Sequence, residues 1–211
     1  MRLSPVLMAA MLASSPLAAQ PDEQVALDQM RNFPAYLEAI QKVYQEYESG
    51  LSTHCPRIDL DLASARAKLY GPLQLDAEGR IENAIWTEQI RGTACGEQRR
   101  YTALVLFKQG EPLIYSQLPG DSYASPMLQR DAMLQVAGGV GAAGATCTPE
   151  VLDTALSNGI PESAGEPWSE KWTVRSCKKR YLVPVHFVPD ATGTGINVKA
   201  AEIVELPDPH R

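Results

Sequence analysis

Apolar positions recur along this chain at two different periods. Phe33, Leu37, Ile40, Tyr44 and Tyr47 follow one another at steps of four, three, four and three residues. That spacing predicts helix within 22–50, starting near Asn32 and Pro34, with the stripe on one face. Glu38, Gln41, Gln45 and Glu46 fall on the other side, so the stripe is expected to lie on a sheet. From Leu60 to Leu118 the period drops to two, broken by Asp76-Ala77-Glu78-Gly79, Cys95-Gly96-Glu97 and Gln109-Gly110-Glu111-Pro112. Each break is a turn signal, which predicts an antiparallel meander with strands near 65–75, 81–94, 101–107 and 113–118. A short helix carrying Leu128, Met133 and Leu134 is expected after Ser125-Pro126, with Ser125 as N-cap and Pro126 as first helical residue. Gly138 to Ala145 is a run of small residues and reads as a flexible linker between 20–137 and 146–206. The last hairpin turns at Pro189 to Gly193, and Ile196, Val198, Ile203 and Val204 continue the sheet; 207–211 reads as a frayed tail. The fold class expected is α+β: an N-terminal amphipathic helix packed on an antiparallel β-meander, followed by a second, smaller β unit.

The second unit repeats the first. Trp86-Thr87-Glu88 and Trp168-Ser169-Glu170 each place their Trp nine residues before a cysteine, Cys95 and Cys177. Downstream, Tyr101, Val105 and Phe107 share their spacing with Tyr181, Val185 and Phe187, which makes Trp86, Trp168, Tyr101, Tyr181, Phe107 and Phe187 the expected repeat core. Five residues separate Cys95 from Tyr101 and three separate Cys177 from Tyr181, an even difference that, placed in a turn, leaves side-chain direction unchanged. Upstream, Cys55 with Pro56 and Cys147 with Pro149 complete the pattern. Bridges Cys55–Cys95 and Cys147–Cys177 are the simplest expectation, although Cys55–Cys147 with Cys95–Cys177 is equally symmetric.

Side chains alternate across a strand, so Trp86, Glu88 and Ile90 share one face, as do Trp168, Glu170, Trp172 and Val174. Each Glu is therefore a carboxylate among apolar neighbours, a setting that raises a carboxyl pKa and suits proton transfer. Two units packed about a pseudo-twofold axis could bring Glu88 and Glu170 together; the plainer expectation is that each sits at a sheet rim, satisfied by Arg91, Arg175 or a turn amide. The Tyr101–Phe107 strand is expected to be central. Pro184 donates nothing to a ladder, so its strand is expected at an edge or bulge, with His186 facing away from the core.

Composition and charge decide the compartment and exclude some partners. The 211 residues carry 19 Lys and Arg against 25 Asp and Glu, a net charge of −6, which disfavours a general nucleic-acid binder. Met1 to Ala19 has one basic residue, an apolar run and small residues before Gln20, the pattern of a secretory signal peptide cleaved after Ala19. Its run is interrupted by Pro5, Ser14, Ser15 and Pro16, unlike a membrane anchor of roughly 20 apolar residues. A periplasmic or secreted location follows as an expectation, and in an oxidising compartment four cysteines read as disulfides.

Chemical motifs are sparse. Gly120-Asp121-Ser122 resembles the nucleophile block of the secreted Gly-Asp-Ser esterases, whose Ser is activated by an Asp-x-x-His near the C-terminus. The resemblance covers three residues; here the block lies mid-chain, Asp208-Pro209-His210 has a different spacing, and the alternating βα pattern is missing. Gly138-Gly139-Val140-Gly141 has no following Lys-Ser/Thr and does not fit a phosphate loop. Arg99-Arg100 and Lys178-Lys179-Arg180 are expected in equivalent turns, as solubilising ends or as a rim for an anionic polymer. His54, His186 and His210 are scattered, no metal or cofactor is expected, and His54 beside Cys55 points to the opposite side of an extended chain. The leading expectation is an exported, non-catalytic binding protein for a protein or envelope component, such as an inhibitor, immunity or accessory factor. The alternatives are a small periplasmic hydrolase using Ser122 or the Glu88/Glu170 pair, and a surface component acting through oligomerisation.

Overall fold

A computed structural model describes residues 21–163 and 165–207. The expected signal peptide, and the end of the tail with Asp208 and His210, lie outside the described residues. The chain folds as α+β, with two antiparallel sheets each preceded by helix.

The N-terminal helical region is two helices, α1 (Pro21–Arg31) and α2 (Pro34–Gly50). Phe33 breaks them because a residue before proline is pushed out of the helical region; its φ and ψ are −77° and 121°. The buried line on α2 is Tyr36, Ile40, Tyr44 and Glu48, an unbroken i, i+4 ladder, while Phe33 is 62% exposed. The predicted stripe is therefore rotated. A carboxylate, Glu48, takes its last buried position.

The first sheet is ordered β1 (Ile58–Leu69), β3 (Ile81–Ala94), β4 (Glu97–Lys108), β5 (Glu111–Ser116), with the short β2 (Gln74–Leu75) also on β3. The expected strand over 65–75 instead begins at Ile58, ends at Leu69 and bulges between Asp61 and Arg66. Every second residue of β3 from Ala84 to Ala94 is buried, which gives this strand one core face. Ile40, Tyr44, Trp86, Ile90, Tyr101 and Val105 meet in the core between α2 and the sheet.

The second unit begins with α3 (Pro126–Ala142), not after a linker. The run Gly138–Ala142 completes this helix, and Gly139 within it serves packing. A Cβ on Gly139 would lie 2.7 Å from Val198 Cγ1, and Val136 and Val140 are fully buried. The connection between units is the segment 117–125. Ser125 Oγ accepts from Leu128 N–H and caps the helix as its sequence predicts, but the buried face is Ala132, Val136 and Val140, with Leu134 73% exposed. Setting Pro34 against Pro126 aligns Ile40, Tyr44 and Glu48 with Ala132, Val136 and Val140, so the units share helix phase as well as strand order.

The second sheet runs β6 (Glu150–Leu156), β7 (Trp168–Ser176), β8 (Lys179–Asp190), with β9 (Gly193–Asn197) and β10 (Val204–Leu206) sharing the far side of β8. β9 pairs with 186–190 and β10 with 180–182, which leaves a gap at Pro184. A missing N–H is tolerated in an otherwise central strand where no partner needs it.

Disulfides join Cys55 to Cys95 and Cys147 to Cys177, tying the helix-to-strand connection of each unit to its main hairpin. Cys95 and Cys177 open two-residue turns with φ of 49° and 55°. Both turns have the same length, so the two-residue difference before Tyr101 and Tyr181 is not absorbed there. It slides the Tyr set by one pleat: Trp86 pairs with Val105, whereas Trp168 pairs with Phe187. The even shift keeps Tyr101 and Tyr181 in the cores.

Candidate functional site

The Trp-x-Glu motif forms the same contact twice. Trp86 Nε1 donates to Glu88 Oε2 at 2.9 Å, and Trp168 Nε1 donates to Glu170 Oε1 at 3.2 Å. Both carboxylates are fully buried, and their partners belong to separate cores. Arg31 Nη2 lies 2.9 Å from Glu88 Oε1, and Tyr36 Oη donates to Oε2. Burial pushes the Glu88 pKa up against the opposing pull of Arg31 and these hydrogen bonds. Among the described residues Glu170 meets only neutral donors: Ser122 Oγ, the backbone N–H groups of Tyr123 and Ala124, and Trp168 converge on Oε1, while Trp172 Nε1 reaches Oε2 at 2.8 Å. The two carboxylates do not form a shared pair. Of the partners expected for them, only backbone amides appear; Arg91 pairs with Asp61, and Arg175 with Glu150.

Ser122 and Glu170 are brought together, with Ser122 Oγ 3.1 Å from Oε1. That oxygen already takes three other donors and leaves no lone pair for a substrate proton. The contact pins the segment before α3 to β7. The neighbouring Gly120 has φ +97°, and a Cβ there would stand 2.2 Å from Thr154 O, so this turn is pressed against β6. Thr102 and Gln89 both donate to Gly120 O, and Arg100 pairs with Asp121 and Asp153. The Gly-Asp-Ser block is thus a weld between units.

The expected basic turns are corrected. Arg99 and Arg100 lie on β4; Arg99 is buried against Glu48 and Glu97, so neither forms a solubilising rim. Lys178 and Lys179 do occupy a turn region, with Lys179 paired to Glu205. His54 Nδ1 contacts Ser49 O, and its neighbour Cys55 is in a bridge. Among the described residues no group of three or more His, Cys, Asp or Glu is gathered to hold a metal, and no helix is long and apolar enough to cross a membrane.

Among the described residues, two adjoining surface features lack an internal partner. On the outer face of the first sheet, Ile85, Leu106 and Leu113 pair in a row across β3, β4 and β5. Ile85, Leu113, Tyr115 and Tyr70 are each about half exposed. Tyr70 and Thr87 lead from this row into a cleft of about 220 Å³ between the units, closed on the far side by Ser122, Pro126, Leu156 and Ile160. Arg66 and Lys68 line it, and neither has a carboxylate partner among the described residues. Lys68 Nζ sits 5.5 Å from the Tyr123 ring centre, and partial desolvation lowers its pKa. A larger hollow of about 810 Å³ lies among Met30, Phe33, Tyr36, Ile81, Phe107 and Pro112, but its rim cation Arg80 is already paired with Asp76 and Glu78.

Neither the exposed row nor the free cations stand out in the sequence. Both depend on which strands become neighbours. Comparison with known proteins gives no matching family model, no matching curated protein and no matching solved structure.

Proposed function

We propose that the chain is an exported protein-binding module that recognises its partner with the outer face of the first sheet and the adjoining cleft. The observation carrying this reading is the cross-strand row Ile85–Leu106–Leu113, about half exposed at Ile85 and Leu113 and part-buried at Leu106, bordered by the unpaired cations Arg66 and Lys68. Exposed apolar residues that adjoin one another across strands are what a partner buries, whereas scattered ones need no explanation. The two cations select a partner with a carboxylate beside its apolar strip, and the cleft has room for one acidic side chain or chain end. Export rests on the signal-like N-terminus and fits the two disulfides, which are compatible with an oxidising compartment.

The test is affinity capture from an envelope extract with the wild-type chain, an Ile85→Asp/Leu113→Asp variant and an Arg66→Glu/Lys68→Glu variant. The reading expects one partner retained by the wild type, at least about tenfold less on either variant, and weaker retention of it at high salt. Equal recovery on all three baits contradicts it. Concentration-dependent self-association through the same face would replace it with the oligomeric reading.

A further inference from the structure

The outer face of the second sheet carries a hydrogen-bonded Ser, His and Glu that the binding face does not use. Ser169 on β7 and His186 on β8 are direct cross-strand partners, with Ser169 Oγ 2.8 Å from Nδ1. The other ring nitrogen, Nε2, lies 2.8 Å from Glu202 Oε2 in the 3-10 turn Ala200–Glu202. An ionised carboxylate only accepts, so Glu202 fixes the proton of neutral His186 on Nε2 and leaves Nδ1 to accept from the Ser169 hydroxyl. Glu202 is itself held by Lys199 Nζ at 2.8 Å, and its hydrogen bonds to Lys199 and His186 keep its carboxyl below the usual range. All three side chains are half-buried and open to solvent. Lys171, two residues along β7 on the same face, is exposed and has no ion-pair partner among the described residues.

We propose that Ser169 is the nucleophile of an acyl-transfer site, with His186 as general base and Glu202 orienting the imidazole, and that its substrates are esters of short, unhindered carboxylic acids. An acceptor nitrogen in contact with a hydroxyl, backed by a carboxylate, is the arrangement that activates a serine. Ser169 Oγ bonds to the ester carbonyl carbon as its proton passes to His186 Nδ1 and the carbonyl π pair moves onto oxygen, towards the charge of Lys171. Collapse expels the alcohol, which takes the proton from His186. Water then repeats the sequence, releases the acid and restores the serine hydroxyl. An open sheet face contacts an acyl group on one side only, which favours small acyl groups.

The experiment treats the purified chain with a fluorophosphonate and, separately, with 4-nitrophenyl acetate, reading adducts by intact mass and peptide mapping. The expected result is one adduct, on Ser169, absent from Ser169→Ala. Labelling is expected to be at least about 100-fold slower in His186→Asn, the usual contribution of a general base. Thermal melts establish that each variant is folded; if His186→Asn is not, Glu202→Gln, on the surface turn, carries the same comparison with slowed labelling expected. No adduct on the wild type, an adduct on another residue, or wild-type labelling rates in the folded base or orienting variant would overturn the proposal.

Discussion

The indole N–H of Trp86 is donated to the carboxylate of Glu88, two residues along the same strand face, and Trp168 makes the same contact with Glu170. Residues two apart on a strand are neighbours on one face, so the tryptophan brings its own polar partner into the core. Trp86→Phe retains much of the apolar packing but leaves a buried carboxylate one donor short, at a cost of about 1–3 kcal/mol. Trp168→Phe is expected to cost less, because Glu170 keeps four other donors. Urea unfolding of both variants checks the order, and a larger loss at Trp168 would contradict it.

Glu88 also sets a pH dependence. Its folded pKa is raised above the ordinary 4.5, so the folded state holds this proton more tightly than the unfolded chain does. The stabilisation is fully present below about pH 4.5, falls as pH rises through the folded pKa, and is constant above it. Unfolding free energies measured from pH 4 to 8 should therefore decline less with pH in Glu88→Gln than in wild type. Parallel curves would show that Glu88 does not carry the effect.

Adjacent glycines distinguish a packed helix from a loose connection. Gly138 has open space where a Cβ would stand, so Gly138→Ala should stabilise α3 by about 0.5–1 kcal/mol through helix propensity. At Gly139 the new methyl meets Val198 and Ile203, and overpacking of about 1–3 kcal/mol is expected. Thermal melts of the two variants should move in opposite directions. Two unchanged melting temperatures would restore the flexible-linker reading.

The weld between units is tested at Arg100, whose guanidinium reaches Asp121, Asp153 and Thr154 O. Arg100→Ala leaves the half-buried Asp153 and the more exposed Asp121 without their cation. It is expected to separate the cooperative unfolding of the chain into two steps, read by calorimetry. A single sharp transition at the wild-type temperature would mean that Arg100 contributes little to the coupling.

The α+β class, the meander and the shared strand face of each Trp-x-Glu motif are legible from local periodicity, because alternation and turn residues act over a few positions. The indole-to-carboxylate hydrogen bond is not, since Arg91, Arg175 or a turn amide is the partner the sequence suggests. Gly138 to Ala142 misleads for a physical reason: small residues signal freedom in a linker and close approach in a helix, and only Val198 on a distant segment decides between them. Glu48 is hidden likewise, since its place in the core depends on Arg99 and Tyr101 across the sheet. The Ser169–His186 contact requires the register of β7 against β8, and Glu202 arrives from a turn beyond both. Such sites emerge only when strands have neighbours.

The duplicated unit with its own internal staple is tested most directly by mapping the disulfides of the chain purified without reductant. The account predicts peptides linked Cys55–Cys95 and Cys147–Cys177, each closing a loop worth about 4 kcal/mol in the chain-entropy treatment. Free thiols, or peptides linking Cys55 to Cys147 and Cys95 to Cys177, would contradict it.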